Sequence, residues 1–113
     1  MNPSQIDRLL AGVPANVDPR HRRRVHGYAA TARRCDARIA GLRVDLERAL
    51  RAVDEAAAAG PAEAEAAADE AIRLARELDA LERVQPRIDS WLRVAVGAVS
   101  DDPGLEPFGE GPA

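Results

Sequence analysis

A long heptad pattern of apolar residues is the feature that most constrains this chain. Starting at Val25, apolar side chains recur in alternating steps of three and four residues as far as Ala56. This spacing puts an apolar side chain on the same helix face at every turn, so it predicts a long helix that packs along a seam. The seam residues are Val25, Tyr28, Ala32, Cys35, Ile39, Leu42, Leu46, Ala49, Val53 and Ala56.

The segment Ala59-Gly60-Pro61 predicts a tight turn at the end of this helix. Glycine is common just after a helix, and proline is favoured in the first turn of the next. If the chain reverses at Gly60, partner residues in the two seams have numbers that add to 120. The sequence therefore predicts a long antiparallel helical hairpin, coiled-coil-like in its packing. The second seam is Ala64, Ala67, Ala71, Leu74, Leu78 and Leu81.

The pairing continues past Pro86, where it matches Ala32 with Ile88 and Tyr28 with Leu92. Proline lacks an N–H donor and clashes with the preceding turn, so it predicts a kink or a helix restart there. Asp18-Pro19 gives the long helix a capping residue and a first-turn proline. The predicted helices cover about 3–11, 19–58, 62–85 and 86–99.

A short N-terminal helix over about 3–11 has Ser4 as its predicted N-cap and Ile6, Leu9 and Leu10 on one face. We expect this face to dock on an apolar patch around Trp91. The helices together predict one domain over residues 1–100. The acidic, Gly- and Pro-rich segment 101–113 is predicted to be a disordered, flexible tail.

Composition supports an all-α fold, because alanine, leucine, arginine and glutamate dominate and aromatic residues make up only 3%. All 16 basic residues are arginine, which is typical of a GC-rich bacterial or phage genome. Residues 1–53 carry a charge of about +6 and residues 54–113 about −9. The basic part of the chain therefore lies before the acidic part.

No pattern for catalysis, for a cofactor or for a metal ion is present in the sequence. Cys35 is the only cysteine, so the chain cannot form an intramolecular disulfide or a multi-cysteine zinc site. His21 and His26 are five residues apart, which does not give the i, i+4 spacing of a helical metal pair. We expect neither an enzyme nor a small-molecule substrate. Without a signal-peptide pattern or a membrane-spanning stretch, we expect a soluble cytoplasmic protein and no membrane partner.

A second apolar stripe beside the seam predicts protein–protein contact. Leu50 and Ile72 lie outside the seam, where a lone hairpin leaves them in water. The chain is therefore interpreted as a non-enzymatic helical interaction protein: a structural, assembly or adaptor subunit of a homo-oligomer or larger complex. The predicted partner-binding residues are Leu50, Ile72, Ala68 and Ala75.

A cluster of arginines near the start of the long helix suggests an alternative, the binding of nucleic acid or another polyanion. Arginines neutralise phosphates and release counterions, which gives affinity without sequence preference. Against this, the chain is acidic overall and no aromatic residue interrupts the basic run. The candidate residues are Arg20, Arg22, Arg23, Arg24, Arg33 and Arg34.

Overall fold

A computed structural model of the chain describes residues 1–99, and all regular structure in that range is α-helical. The helices are α1 (Pro3–Ala11), α2 (Pro19–Ala59) and α3 (Pro61–Val99), and α2 packs antiparallel to α3. The predicted all-α helical hairpin with a short N-terminal helix is confirmed. The tail predicted over 101–113 lies outside the described residues.

The N-cap of α1 is Asn2, where the sequence had suggested Ser4. The Asn2 side chain accepts a hydrogen bond from the backbone N–H of Gln5 at 2.9 Å, and the Gln5 side chain accepts one from the backbone N–H of Asn2 at 2.9 Å. This reciprocal capping box satisfies two N–H groups that the first turn leaves open. Pro3 needs no such partner, and it takes the first helical position.

The two ends of α2 follow the predicted chemistry. At the start of α2, the Asp18 carboxylate accepts a hydrogen bond from the backbone N–H of Arg20 at 2.8 Å, which confirms Asp18 as the cap. At its end, Gly60 alone separates α2 from α3 and has a φ of 142°. That backbone conformation is costly for a residue with a Cβ atom, so a one-residue turn requires glycine.

α3 is a single helix with Pro86 inside it, although the sequence suggested two helices that meet there. Proline removes one backbone hydrogen bond and crowds the carbonyl four residues earlier. Burial of Ile88, Leu92 and Val96 on the far side of Pro86 offsets this cost, because each adds apolar surface removed from water. Long-range packing therefore keeps the helix intact across the proline.

The chain divides into two compact units, which are described separately. Unit 1 comprises Met1–Asp36 and the described part of Val84–Ala113, and unit 2 comprises Ala37–Arg83. Unit 1 thus contains α1 together with the first part of α2 and the last part of α3. Unit 2 contains only two helical segments and the turn at Gly60.

The core of unit 2 follows the predicted seam and thins toward the turn. Leu42 is fully buried, and Ile39, Ala49 and Leu74 are nearly so. The layers next to Gly60 are only half-buried, since their seam positions carry valine or alanine on α2 and alanine on α3. Folding removes a smaller apolar area from water in those layers than in the leucine layers. Burial therefore contributes less stability near the turn.

The core of unit 1 is deeper because α1 adds a third helix. Ile6 of α1, Ala29 of α2 and Val96 of α3 are all completely buried. Two ion pairs anchor the N-terminal segment: Asp7 accepts from the Arg33 guanidinium at 2.7 Å, and the Met1 ammonium group donates to Asp89 at 2.6 Å.

These contacts place α1 on the side of the seam that carries Ala29 and Asp89. The expected docking of α1 on the Trp91 patch is therefore wrong, and Trp91 remains 39% exposed. The small Ala29 side chain lets a third helix approach closely on its side, whereas bulky rings occupy the other side.

Candidate interaction surfaces

Ion pairs between α2 and α3 identify the two flanks of the seam in unit 2. In heptad notation, Ile39 of α2 and Leu78 of α3 are at position a, and Leu42 and Leu81 are at position d. Arg38 and Glu77 then both occupy position g, and the Arg38 guanidinium lies 2.6 Å from the Glu77 carboxylate. Arg43 and Glu82 both occupy e, and they lie 3.9 Å apart. Positions g of both helices therefore share one flank, and positions e share the other.

The g flank of unit 2 is covered by ion pairs. Besides Arg38–Glu77, Arg73 donates two hydrogen bonds to Glu70, the shorter at 2.6 Å. The hydrogen bond from Arg73, and then its positive charge, lower the pKa of Glu70, and the same contact raises the pKa of Arg73. These side chains are exposed and already partnered, so this flank is a solvated charged surface.

The e flank of unit 2 is apolar between Arg43 and the turn. Leu50, at position e, is 54% exposed, and Ile72, at the neighbouring position b, is 48% exposed. Ala75 is exposed and Ala68 is half-buried. All four residues predicted to bind a partner thus lie on one flank. We call this surface the docking face; it comprises Leu50, Ala57, Ala68, Ile72 and Ala75.

The equivalent heptad positions in unit 1 are covered. Ala29 and Val96 occupy e positions there, and both are completely buried on the side where α1 binds. In unit 2, no helix within residues 1–99 covers the e positions. One unit therefore has a third helix over this flank, and the other leaves two large apolar side chains in water.

Charge along the docking face changes from one end to the other. Toward the turn it is bordered by Asp54 and Glu65, neither of which has an ion-pair partner in the described structure. At the opposite end it is bordered by Arg43, whose contact with Glu82 is long. The face is thus acidic near Gly60 and carries an arginine at its other end.

The predicted polyanion-binding arginines separate into two groups. Arg33 is paired with Asp7, and Arg34 donates a hydrogen bond to Thr31 at 3.3 Å, so both have partners within unit 1. The guanidinium of Arg22 donates to the carbonyl of Ala15. Across residues 1–99, no carboxylate pairs with the other group, which we call the basic cluster: Arg20, Arg22, Arg23 and Arg24.

An aromatic pair lies beside the basic cluster in unit 1, and the sequence analysis missed it. A groove of about 80 Å³ is lined by side chains of both helices, and Tyr28 in its wall packs on Trp91 with 6.1 Å between ring centroids. The matching of Tyr28 with Leu92 already implied that Trp91 would be near Tyr28. The residues that line the groove are His21, Arg24, Tyr28, Val94, Ala95 and Ala98.

Polar side chains inside unit 1 are only partly satisfied: Oδ2 of Asp89 pairs with the Met1 ammonium group, whereas its buried Oδ1 has no hydrogen-bond partner in the described structure. Gln85 donates to Asp36 at 3.4 Å, next to the buried Cys35. Burial, and then the negative charges of Asp89 and Asp36, raise the pKa of the Cys35 thiol. A thiol held in its neutral form is a poor nucleophile, and burial of Cys35 in the seam favours a packing role for it. Within residues 1–99, no group of three or more His, Cys, Asp and Glu side chains is arranged to hold a metal ion.

None of the helices over residues 1–99 contains an apolar stretch long enough to cross a bilayer. Comparison of the chain with protein-family models, with curated protein sequences and with solved structures gave no match. The two surfaces described above are therefore interpreted from their own chemistry.

Proposed function

We propose that this chain is a non-enzymatic helical interaction protein, a structural, assembly or adaptor subunit that associates through the docking face of unit 2. The observation that carries the proposal is the exposure of Leu50 and Ile72 on a flank whose counterpart in unit 1 is covered by α1. Exposed aliphatic side chains on an unpartnered helix face favour contact with another helix.

A second copy of the chain, running antiparallel, is the partner that fits this face best. Leu50 and Ile72 lie ten residues before and twelve residues after Gly60, close to the middle of the face, with small alanines on either side. A twofold axis near these residues brings the large side chains of both copies together. It also brings Asp54 and Glu65 of each copy toward Arg43 of the other, so charge and shape agree.

The face is short, about 18 Å along the helices at 1.5 Å per residue. Stable interfaces bury at least about 1,200 Å² in total, and a face of this length with only two large side chains belongs to the weak end of the range of interfaces. We therefore expect association that depends on concentration in the micromolar range, with a compact four-helix arrangement in the dimer.

Light scattering over a series of protein concentrations tests self-association. A Leu50→Glu, Ile72→Glu variant is expected to remain monomeric where the unmodified chain dimerises, because it places four carboxylates in an apolar contact. Val44→Glu is the matched control, since Val44 is 48% exposed but lies on the outer side of α2, away from both flanks. A monomeric unmodified chain, or equal loss of dimer in the control, counts against the proposal.

A charge exchange tests the antiparallel geometry. Arg43→Glu is expected to weaken the dimer roughly fivefold by placing like charges across the interface, and adding Glu65→Arg is expected to restore it. Sedimentation equilibrium measures both effects. Two single changes whose effects simply add, with no restoration, contradict the antiparallel arrangement.

Binding of a polyanion by the basic cluster is a second candidate function, favoured by one observation: four neighbouring arginines at the start of α2 have no carboxylate partner within residues 1–99. Cations at a helix N terminus oppose the helix dipole, so the cluster gains nothing from its position. Titration with heparin at low salt tests this function. Binding is expected to weaken with added salt and with Arg22→Ala, Arg23→Ala and Arg24→Ala together, and no binding at low salt rejects it.

We also propose a cytoplasmic location and action without a cofactor or a small-molecule substrate. The single cysteine supports the cytoplasmic assignment, because the chain cannot form the intramolecular disulfides that are typical of small proteins in oxidising compartments. Expression of the full chain with fractionation of the cells tests the location.

A further inference from the structure

We propose that the groove beside Tyr28 and Trp91 is a binding site for single-stranded nucleic acid, with a base stacked on the exposed face of Trp91 and the backbone phosphates held by the basic cluster. This inference rests on the polyanion binding proposed above and makes it more specific. It depends on two features that are far apart in the sequence and close together in the structure: the arginines of α2 and the tryptophan of α3.

Aromatic and basic side chains lie close together at this groove. Arg24 and Tyr28 line the same groove, and Tyr28 packs against Trp91 at an interplanar angle of 51°. Trp91 is 39% exposed, so the residue is accessible to a ligand in solution. Tyr28 supports that ring from one side, which holds it in place and lowers the entropy lost when a ligand stacks on it.

Arginines give the site a positive charge. Arg24 and His21 are in the groove wall, and Arg20 and Arg23 are exposed on neighbouring turns of α2. None of these four side chains has a carboxylate partner within residues 1–99. An anionic ligand therefore replaces water around the three arginines without competing against an existing ion pair.

The chemistry of the site fits a single strand better than a duplex. Single-strand binding sites combine a positively charged path for the backbone with aromatic side chains for unstacked bases. Bases in a duplex are already stacked on one another, so a duplex has phosphates for the arginines but no base for Trp91. An acidic peptide has negative charges and lacks the flat base. The site favours the single strand because it supplies both kinds of contact.

Trp91 is the only tryptophan of the chain, so its fluorescence reports on the site directly. With the full chain, titration with an oligothymidylate of about 20 nucleotides at low salt is expected to quench this fluorescence. A duplex of similar length and poly-glutamate are expected to bind more weakly and to leave the fluorescence unchanged.

Variants separate stacking from charge. Trp91→Ala is expected to weaken oligothymidylate binding roughly tenfold, measured by fluorescence anisotropy of a labelled strand, and Trp91→Phe is expected to retain most of it. Circular dichroism checks that both variants fold. Arg22→Ala, Arg23→Ala and Arg24→Ala together are expected to lower the dependence of affinity on salt. Arg48→Ala with Arg76→Ala, which removes two exposed arginines of unit 2, is the control and is expected to change little.

The outcomes distinguish the two proposals. Equal binding of single strand and duplex, with arginine dependence but no change at Trp91, keeps polyanion binding and overturns the single-strand site. The same holds if poly-glutamate binds as well as oligothymidylate, or if Trp91→Ala binds like the unmodified chain. No binding of any polyanion at low salt overturns both proposals.

Discussion

Gly60 has a backbone conformation that only glycine adopts readily, with a φ of 142° in the one-residue turn between α2 and α3. A Cβ atom at this position would lie 2.9 Å from Oε2 of Glu63. Gly60→Ala is therefore expected to destabilise the chain by about 1–2 kcal/mol, measured by urea unfolding.

Gly41→Ala is the matched control for this prediction. Gly41 lies inside α2, and a Cβ atom there would meet nothing within 4 Å. Because alanine is the better helix former, this change is expected to stabilise the chain by about 0.5–1 kcal/mol. Equal effects at both positions would contradict the structural role of Gly60.

The stability of the chain is expected to depend on pH through Cys35, a buried thiol in unit 1. Its pKa is raised above the ordinary value of 9.0, chiefly by burial and then by Asp89 and Asp36. Below that ordinary value the thiol is neutral in both the folded and the unfolded chain. Above it the unfolded chain loses the proton first, so the free energy of unfolding falls as pH rises toward the folded pKa.

The measurement is urea unfolding near pH 8 and near pH 10 for the unmodified chain and for Cys35→Ala. We expect the unmodified chain to lose more stability between these pH values than the variant does. Comparison of the pH-dependent loss, rather than of absolute stability, removes the effect of the smaller side chain on packing. Identical losses would show that the thiol titrates alike in both states.

At the scale of the helices, α1 contributes stability by covering one flank of unit 1. Ile6 is completely buried, and Asp7 and Met1 anchor the segment on either side of it. Ile6→Ala is expected to destabilise the chain by about 2–4 kcal/mol, since it removes buried methyl and methylene groups and leaves a cavity.

Two further variants grade this effect in the same unfolding experiment. Leu9→Ala, at a half-buried position of α1, is expected to cost less than Ile6→Ala. Arg8→Ala removes an exposed side chain of the same helix and is expected to change stability by less than about 0.5 kcal/mol. A loss at Ile6 no larger than the loss at Arg8 would mean that α1 does not pack as described.

The residue pairing in the α2–α3 seam of unit 2 can be predicted in detail from the sequence. The surroundings of the two flanks beside the seam are harder to predict. Layers such as Leu42 with Leu78 pack where the pairing places them, and both residues are buried. The charged pairs that identify the flanks, Arg38–Glu77 and Arg43–Glu82, follow from heptad position as well. What the pattern leaves open is which flank another helix covers.

At the scale of the whole chain, stability is expected to vary with depth of burial. The three-helix core of unit 1 contains completely buried residues such as Leu92, whereas the alanine layers near Gly60 are half-buried. Amide hydrogen exchange is expected to be slowest around Leu92 and Leu42 and at least about tenfold faster around Ala56 and Ala64. Uniform protection along α2 would contradict this gradient.

Charge is also distributed over the whole chain in a way that matters for binding. Residues 1–53 are basic and residues 54–113 are acidic, yet the ion pairs of unit 2 use its own arginines rather than the basic cluster. The basic cluster therefore keeps its charge available. The proposed nucleic-acid site therefore depends on arginines and an aromatic ring, whereas the proposed docking face depends on aliphatic side chains. Different variants test the two.

The sequence by itself determined the helices, the turn at Gly60 and the register of the seam. These depend on local helix propensity and on the spacing of apolar residues along the chain. It also identified Leu50 and Ile72, since they depart from that period. Only the tertiary structure decided that α1 covers the flank with Ala29, and not Trp91. It also decided how the ring of Trp91 packs on Tyr28, which lines a groove together with Arg24. Those outcomes depend on which side chains from distant segments fit together, and no local pattern encodes that fit.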